Sequence, residues 1–281
     1  MSGNAPARRI WLCADDYGIS PGVNRAIRDL IGKGRLNATS VMVVTPAIGR
    51  EEIASLQAAA KTSPHCAIGL HVTLTAPFRP LTMHFRPLDG DMFLPFRRLL
   101  RAGLSWRLDP EIVHAEVAMQ IATFQQMFGQ LPDFVDGHQH AQLYPQVRDG
   151  FLAAVSEKSP NAWVRQARRN QPLPKRLASP KALFLDLLST QFTQLAARAG
   201  LATNPAFSGA YDYSRKADYG ALMQTFLDGM PEHGVVMCHP GFVDEALVSL
   251  DPLTATREVE HAYFVSDAFP RLLASNNITL G

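Results

Sequence analysis

The sequence predicts an α/β fold: a single-domain variant (β/α) barrel with loop insertions. Short apolar runs alternate with longer stretches of helical period from end to end, the pattern of a largely parallel sheet. A length of 281 residues suits one such barrel. Polar, chemically able residues gather where the apolar runs end, and in a parallel barrel those ends share one face.

The elements follow in order. Residues 9–14 (RIWLCA) read as a buried strand. Ser20 and Pro21 supply a helix cap and a first-turn proline. Val23, Ala26, Ile27, Leu30 and Ile31 then repeat with helical spacing up to the stop signals Gly32 and Gly34. Residues 38–44 are rich in β-branched side chains and read as a strand, 51–61 as a helix, and 66–74 as a strand with His71 in its outer half. Residues 76–108, with several prolines and scattered aromatics, read as a long irregular insertion. Its Phe78, Phe85, Phe93, Phe96 and Trp106 either form a sugar-stacking or lipid-facing wall or simply pin the loop.

Asp109 and Pro110 restart a helix that runs to about Phe128, with Gly129 beyond it. A strand over 133–141, a helix over 145–157 and a short strand over 162–166 come next. A second insertion, 167–181, is broken by Pro172, Pro174 and Pro180. Helices at about 181–199 and 217–229, a strand over 234–241, a helix over 255–274 and a strand over 277–280 complete the chain.

Hydrophobic residues make up 47% and charged residues 19%, as in a globular protein with a large core. Basic and acidic residues number 27 and 25, a net +2 that gives no reason to expect a polyanion. Tandem basic–aromatic patches are absent, so no nucleic-acid partner is expected. Cys13, Cys66 and Cys238 lie far apart and are expected to be reduced thiols of a cytoplasmic protein. The N-terminus has no apolar stretch long enough for a signal peptide, and no window approaches the ~18 apolar residues of a membrane span. Peripheral membrane contact and homo-oligomerisation stay open. The segment 164–176 is basic without an acid, ordinarily a solvated loop, and its charges could meet anionic lipid. Arg165 stands apart because it follows a strand-like run, from which it could reach a substrate hydroxyl or carbonyl.

Asp15, Asp16, His71, Asp136, His138, His140 and His239 all fall at or just past predicted strand ends. In an extended chain Asp136, His138 and His140 share one side. Imidazoles with a carboxylate suit a divalent cation such as Zn²⁺, Mn²⁺ or Co²⁺. Two adjacent carboxylates cannot easily aim at one point from a regular strand, so one would ligate the cation while its neighbour acts as a general base on water. No G-x-S-x-G elbow, Walker A loop or G-x-G-x-x-G fingerprint competes with this chemistry.

"ADDYGIS.GVN", "GLHVTLT", "DGHQHAQLYP" and "VMCHPGF", spanning residues 14 to 242, resemble in order and spacing the YdjC-like carbohydrate deacetylases (the ChbG/HpnK family). The resemblance implies a barrel of the NodB/polysaccharide-deacetylase type. It implies a hydrolase that uses one divalent metal ion (Zn, Mg, Mn or Co) to remove the acetyl group from an N-acetylated sugar, chitooligosaccharide-type or lipid-linked as on a hopanoid. Carried over by motif, Asp15 is the general base and His239 the general acid. Asp16, His71 and His138 are the metal ligands. His140 faces substrate or supports the site, and Tyr17 and Arg165 join it as substrate-binding candidates. Where family members often have a third histidine this chain has Gln142, which cannot easily replace imidazole as a ligand. Another metal-dependent amidase or esterase on the same barrel, or a non-catalytic sugar-binding relative, are the alternatives.

Overall fold

The computed structural model describes residues 6–63, 65–169, 180–213 and 218–280, without the side chains of 180–182. The strands are Arg8–Arg9 (β1), Trp11–Tyr17 (β2), Ala38–Val41 (β3), Ala67–Val72 (β4), Leu88–Asp89 (β5), Met92–Phe93 (β6), Phe134–Gly137 (β7), Trp163–Val164 (β8), Phe207–Ser208 (β9), Val235–Cys238 (β10) and Ile278–Thr279 (β11). The helices are Pro21–Gly32 (α1), Arg50–Lys61 (α2), Phe96–Leu104 (α3), Pro110–Phe128 (α4), Val147–Lys158 (α5), Pro180–Arg198 (α6), Tyr219–Leu227 (α7), Glu245–Leu250 (α8), Arg257–Val265 (α9) and Ala268–Ser275 (α10).

Seven strands form one all-parallel sheet in the order β8-β7-β4-β3-β2-β10-β9. The sheet curls until its two edges meet: Val164 bridges Thr203 and Arg169 bridges Phe207. The Asn204 side chain stitches the same seam, accepting from the Gln166 amide N–H (2.9 Å) and donating to the Gln166 carbonyl (3.2 Å). The fold is therefore the expected (β/α) barrel. Its central strands β3, β4, β7 and β10 are buried along their whole length, because helices cover them outside and side chains fill them inside. β1 and β11 pair separately, away from the barrel sheet.

Sequence signals act where expected. Ser20 Oγ accepts from Val23 N–H (3.2 Å) at the start of α1. Asp109 caps α4 through Glu111 N–H (2.9 Å), and Gly129 ends it at φ 74°, a left-handed conformation that glycine adopts without strain. Gly69 has no room for a side chain: a Cβ there would lie 2.5 Å from the Phe134 ring.

Several expectations need correction. The insertion 76–108 is partly regular, containing the antiparallel pair β5–β6 and α3. Phe78, Phe85 and Phe93 are buried and pin it, with Phe85 and Phe93 edge to face at 4.9 Å. The strand expected to run to 141 stops at Gly137, and residues 138–143 form a short 3-10 turn with Gln139 and His140 at φ 55° and 56°. The helix expected over 255–274 is two helices, because Pro270 in the first turn of α10 cannot continue a helix from Ser266. β9 and α8, too short for a periodic signal, were not expected. Of the predicted break at 167–181, residues 170–179 lie outside the described residues.

Cys13 and Cys238 are buried, Cys66 is half-buried, and all three are free thiols. Burial pushes the Cys66 thiol up to about 12 and the other two well above the ordinary range. Thiolate is the reactive form, so the folded protein is expected to react with a disulfide reagent far more slowly than the urea-unfolded chain. Rapid labelling of Cys13 or Cys238 before unfolding would contradict this packing.

Candidate active site

A cleft of about 320 Å³ opens at the C-terminal ends of the strands, lined by Asp15, Asp16, His71, His138, His140 and His239 among others. Parallel pairing brings them together. His71 on β4 is the register partner of Asp136 on β7, and Cys238, one residue before His239, pairs with Ala14, one residue before Asp15.

The adjacent carboxylates are separated by an irregular strand end. Between Ala14 and Tyr17 the pairing of β2 with β3 shifts register, and Asp16 has φ 68°. This bulge re-aims one side chain, so both acids reach the cleft instead of alternating across the sheet. Gly18 follows at φ 100°, where a Cβ would lie 2.7 Å from the Met42 carbonyl oxygen. Asn24 Oδ1 accepts from Gly18 N–H (2.6 Å) and holds the turn.

Asp16 Oδ1 lies 3.3 Å from His71 Nε2 and 3.0 Å from His138 Nδ1. A four-coordinate cation with bonds of ~2.0–2.1 Å holds neighbouring donor atoms roughly 3.3 Å apart. These three donors are therefore spaced as ligands would be, and Asp16, His71 and His138 are one of two such buried groupings among the described residues. The other, Cys13 with Asp15 and Asp136, has the Arg165 guanidinium already bound to both of its carboxylates.

The outer contacts fix the donors. His71 Nδ1 meets Asp136 Oδ1 at 2.6 Å and Ser40 Oγ at 3.0 Å, which leaves Nε2 turned to the cleft. A histidine anchored this way through its other nitrogen is oriented to ligate. Asp16 Oδ2 accepts from Arg257 (2.7 Å), which also pairs with Asp251 (2.6 Å). Asp15 accepts two parallel hydrogen bonds from Arg165 (2.7 and 2.6 Å), and the same guanidinium lies 2.9 Å from Asp136.

The electrostatics follow from burial set against these partners. Burial raises Asp15, but Arg165 and then His71 outweigh it and bring it down to about 2. Burial also opposes the charge on Asp16, yet Arg257 and His138 hold it well below the ordinary carboxylate range. Burial lowers His71, but Asp136 and Asp15 lift it to about 10. Three buried carboxylates (Asp15, Asp16 and Asp136) thus face two guanidiniums and the His71 imidazolium, so the cluster is balanced while His71 keeps its proton, and a divalent cation on His71 Nε2 would take that proton's place. His140 goes the other way: burial, then Arg165, bring it down to about 3, so its ring is neutral. Its edge rests against Phe207, 5.4 Å between centroids.

His239 stands on the β10 side of the cleft. Its backbone N–H donates to the buried Glu260 (2.6 Å), and its ring meets Tyr213 edge to face at 5.6 Å. Phe96 is the residue of the aromatic insertion that lines the cleft. Phe78 backs His138 at 5.9 Å, and Trp106 is 72% exposed.

Two expected substrate contacts are placed elsewhere. Tyr17 is fully buried and does not line the cleft; its hydroxyl donates to the Glu52 carbonyl (3.0 Å) and accepts from Arg28 (2.9 Å). Arg165 reaches the site but lies beneath it, fully buried and bound to Asp15 and Asp136. Gln142 points away from the donors, its amide donating to the Arg165 carbonyl (3.1 Å). Sequence reasoning missed Arg257, Glu260 and Ser40, and gave Asp136 no role of its own. Arg257 and Glu260 sit three apart on α9, a spacing also found on any solvated helix face, so no local signal marks them.

The family model described as YdjC-like protein matches residues 9–275. The carbohydrate deacetylase of Thermoanaerobacter pseudethanolicus is 26% identical over 272 residues, covering 95% of this chain and 94% of that one. The carbohydrate deacetylase of Vibrio vulnificus is 27% identical over 277 residues, covering 94% and 91%. The chitooligosaccharide deacetylase of Yersinia pestis is 26% identical over 279 residues, covering 95% of each. A solved structure from Enterococcus faecalis, with a suggested role in cellobiose-phosphate cleavage, superposes with a TM-score of 0.78 at 21% identity, covering 98% of this chain and 97% of that one. With the family model matched along nearly its whole length, the chain belongs to the YdjC-like protein family.

Proposed function

We propose that this protein is a carbohydrate N-deacetylase that hydrolyses the acetamide of an N-acetylated amino sugar, with residues 1–281 acting as one catalytic domain. The observation that carries the reading is the set of three donors, Asp16, His71 and His138, in one cleft with a further carboxylate, Asp15, and a further histidine, His239, outside that set. The relatives named carbohydrate and chitooligosaccharide deacetylase supply the substrate class. A chitooligosaccharide or a lipid-linked amino sugar both carry the acetamide this chemistry needs. Three unpaired cysteines favour a reducing compartment, the cytoplasm. Among the described residues no helix is long and apolar enough to cross a membrane.

A divalent cation held by Asp16, His71 and His138 would polarise the acetyl carbonyl and acidify the attacking water. Asp15, ionised and fixed by Arg165, orients that water and takes its proton as it attacks the carbonyl carbon. Arg165 also spans Asp15 and Asp136, so the base and the carboxylate that orients His71 are set by one guanidinium. The departing amine needs a proton, since an amide does not expel an amide anion. Two cleft histidines lie outside the donor set. His140 is held neutral and accepts or donates hydrogen bonds to the sugar, which leaves His239 as the acid. Phe96 and Tyr213 line the cleft wall, where aromatic side chains suit a sugar. Bond making and breaking balance: water adds hydroxyl to the acetyl carbon, the C–N bond breaks, and acetate and an amine leave.

Acetate release from N-acetylglucosamine oligomers and N-acetylated glycolipids is the test, run with added divalent cation and again with chelator. Release that chelator abolishes is expected. A cation-loaded, folded protein that frees no acetate from either class would end the deacetylase reading.

A further inference from the structure

The insertion that follows β4 carries a surface the proposed reaction does not use. Residues 76–108 contain six arginines against two aspartates, Asp89 and Asp91. That is a net +4 in one segment of a chain whose total is +2, so the rest of the molecule is net negative and the positive charge is concentrated by placement.

α3 presents this charge on one side. Leu99 and Gly103 face the body, and a Cβ on Gly103 would lie 2.7 Å from the Pro145 carbonyl oxygen. Arg97, Arg98, Arg101 and Leu104 are exposed, and the turn beyond adds Arg107 and Trp106. Arg98, Arg101 and Arg107 line one shallow depression of about 210 Å³ beside Leu94 and Ala102. Of the four arginines, only Arg98 has an ion-pair partner among the described residues, Asp89 at 2.8 Å, and both side chains are half exposed. An indole that stays 72% exposed beside unpaired guanidiniums loses apolar burial without gaining an internal hydrogen-bond network. The pairing of an amphipathic ring with basic residues on a helix face suits the interface of a bilayer with anionic headgroups.

We propose that α3 and the turn after it dock this protein on an anionic lipid surface. The arginines meet headgroup phosphates and Trp106 enters the interface. Phe96, the first residue of the same helix, lines the cleft, so docking turns the cleft toward the bilayer. The surface is separate from the hydrolytic groups, and its test needs no turnover.

The test is sedimentation of the intact protein with vesicles of phosphatidylcholine alone or mixed with phosphatidylglycerol. Binding is expected on the anionic vesicles, falling as salt rises, with little on the neutral ones. Each basic side chain at an anionic surface contributes about fivefold, so the double variant R98E/R101E is expected to bind about tenfold or more weakly. Trp106→Ala is expected to weaken binding and remove the vesicle-induced blue shift in fluorescence; Trp11 and Trp163, stacked on each other at 6.4 Å, are the unshifted background. All three residues are on the surface, so an unchanged thermal midpoint is expected and excludes unfolding as the cause of any loss. Three results would each overturn the proposal: no preference for phosphatidylglycerol, equal binding by R98E/R101E, or saturation by inorganic phosphate or single-stranded DNA without vesicle binding.

Discussion

Asp15→Asn is expected to lower kcat/KM for acetate release by about 10²–10⁴-fold, the range for losing a general base. The substitution keeps the side-chain volume and one acceptor oxygen for Arg165, and Arg165 keeps its second carboxylate, Asp136. The fold and the donors Asp16, His71 and His138 are therefore expected to survive, and the loss to fall on kcat more than on KM. A drop of less than about tenfold in a protein with wild-type unfolding would remove Asp15 from the proton-transfer role.

Arg165→Met is expected to cost about 3–5 kcal/mol of stability, read from urea unfolding, because it strands two buried carboxylates. Methionine fills most of the volume, so packing is a minor part of the loss. The pH dependence has a definite sign. Asp15 has a folded pKa of about 2 against an ordinary 3.8, so its contribution is present above 3.8 and is lost as pH falls toward 2. Without Arg165 burial dominates at Asp15, and the stranded carboxylate is protonated at higher pH. The stability gap between wild type and variant is therefore expected to narrow as pH falls from 4 to 2. A gap below about 1 kcal/mol at neutral pH would place the guanidinium in solvent, contrary to its complete burial.

The barrel and the cleft were legible because both follow from local pattern. Apolar runs marked the strands, and parallel topology then forced residues as far apart as Asp15 and His239 onto one face. The separation of Asp15 from Asp16 was legible as a requirement but not as a geometry, since a bulge with a left-handed aspartate leaves no trace in composition. Asp136, His138 and His140 were read as one side of an extended strand. The strand in fact ends at Gly137, so Asp136 stays beneath the site while His138 and His140 reach the cleft from a turn. Tyr17, next to the acidic pair, looked like a cleft residue, but the strand carries its ring to the other side, onto Arg28 and Glu52. Arg165 could be placed near the site from its strand but not assigned a partner, because its partners lie 150 and 29 positions away in sequence. Arg257 and Glu260 were hidden for the same reason: what a buried charge does depends on the charge it meets across the fold.

The measurement that tests the central claim most directly is the divalent cation content of purified wild type, Asp15→Asn and Asp16→Asn after dialysis against trace metal. The division of labour at the end of β2 predicts stoichiometric cation in wild type and Asp15→Asn and loss of it in Asp16→Asn. Equal loss in both variants, or full retention in Asp16→Asn, would contradict it.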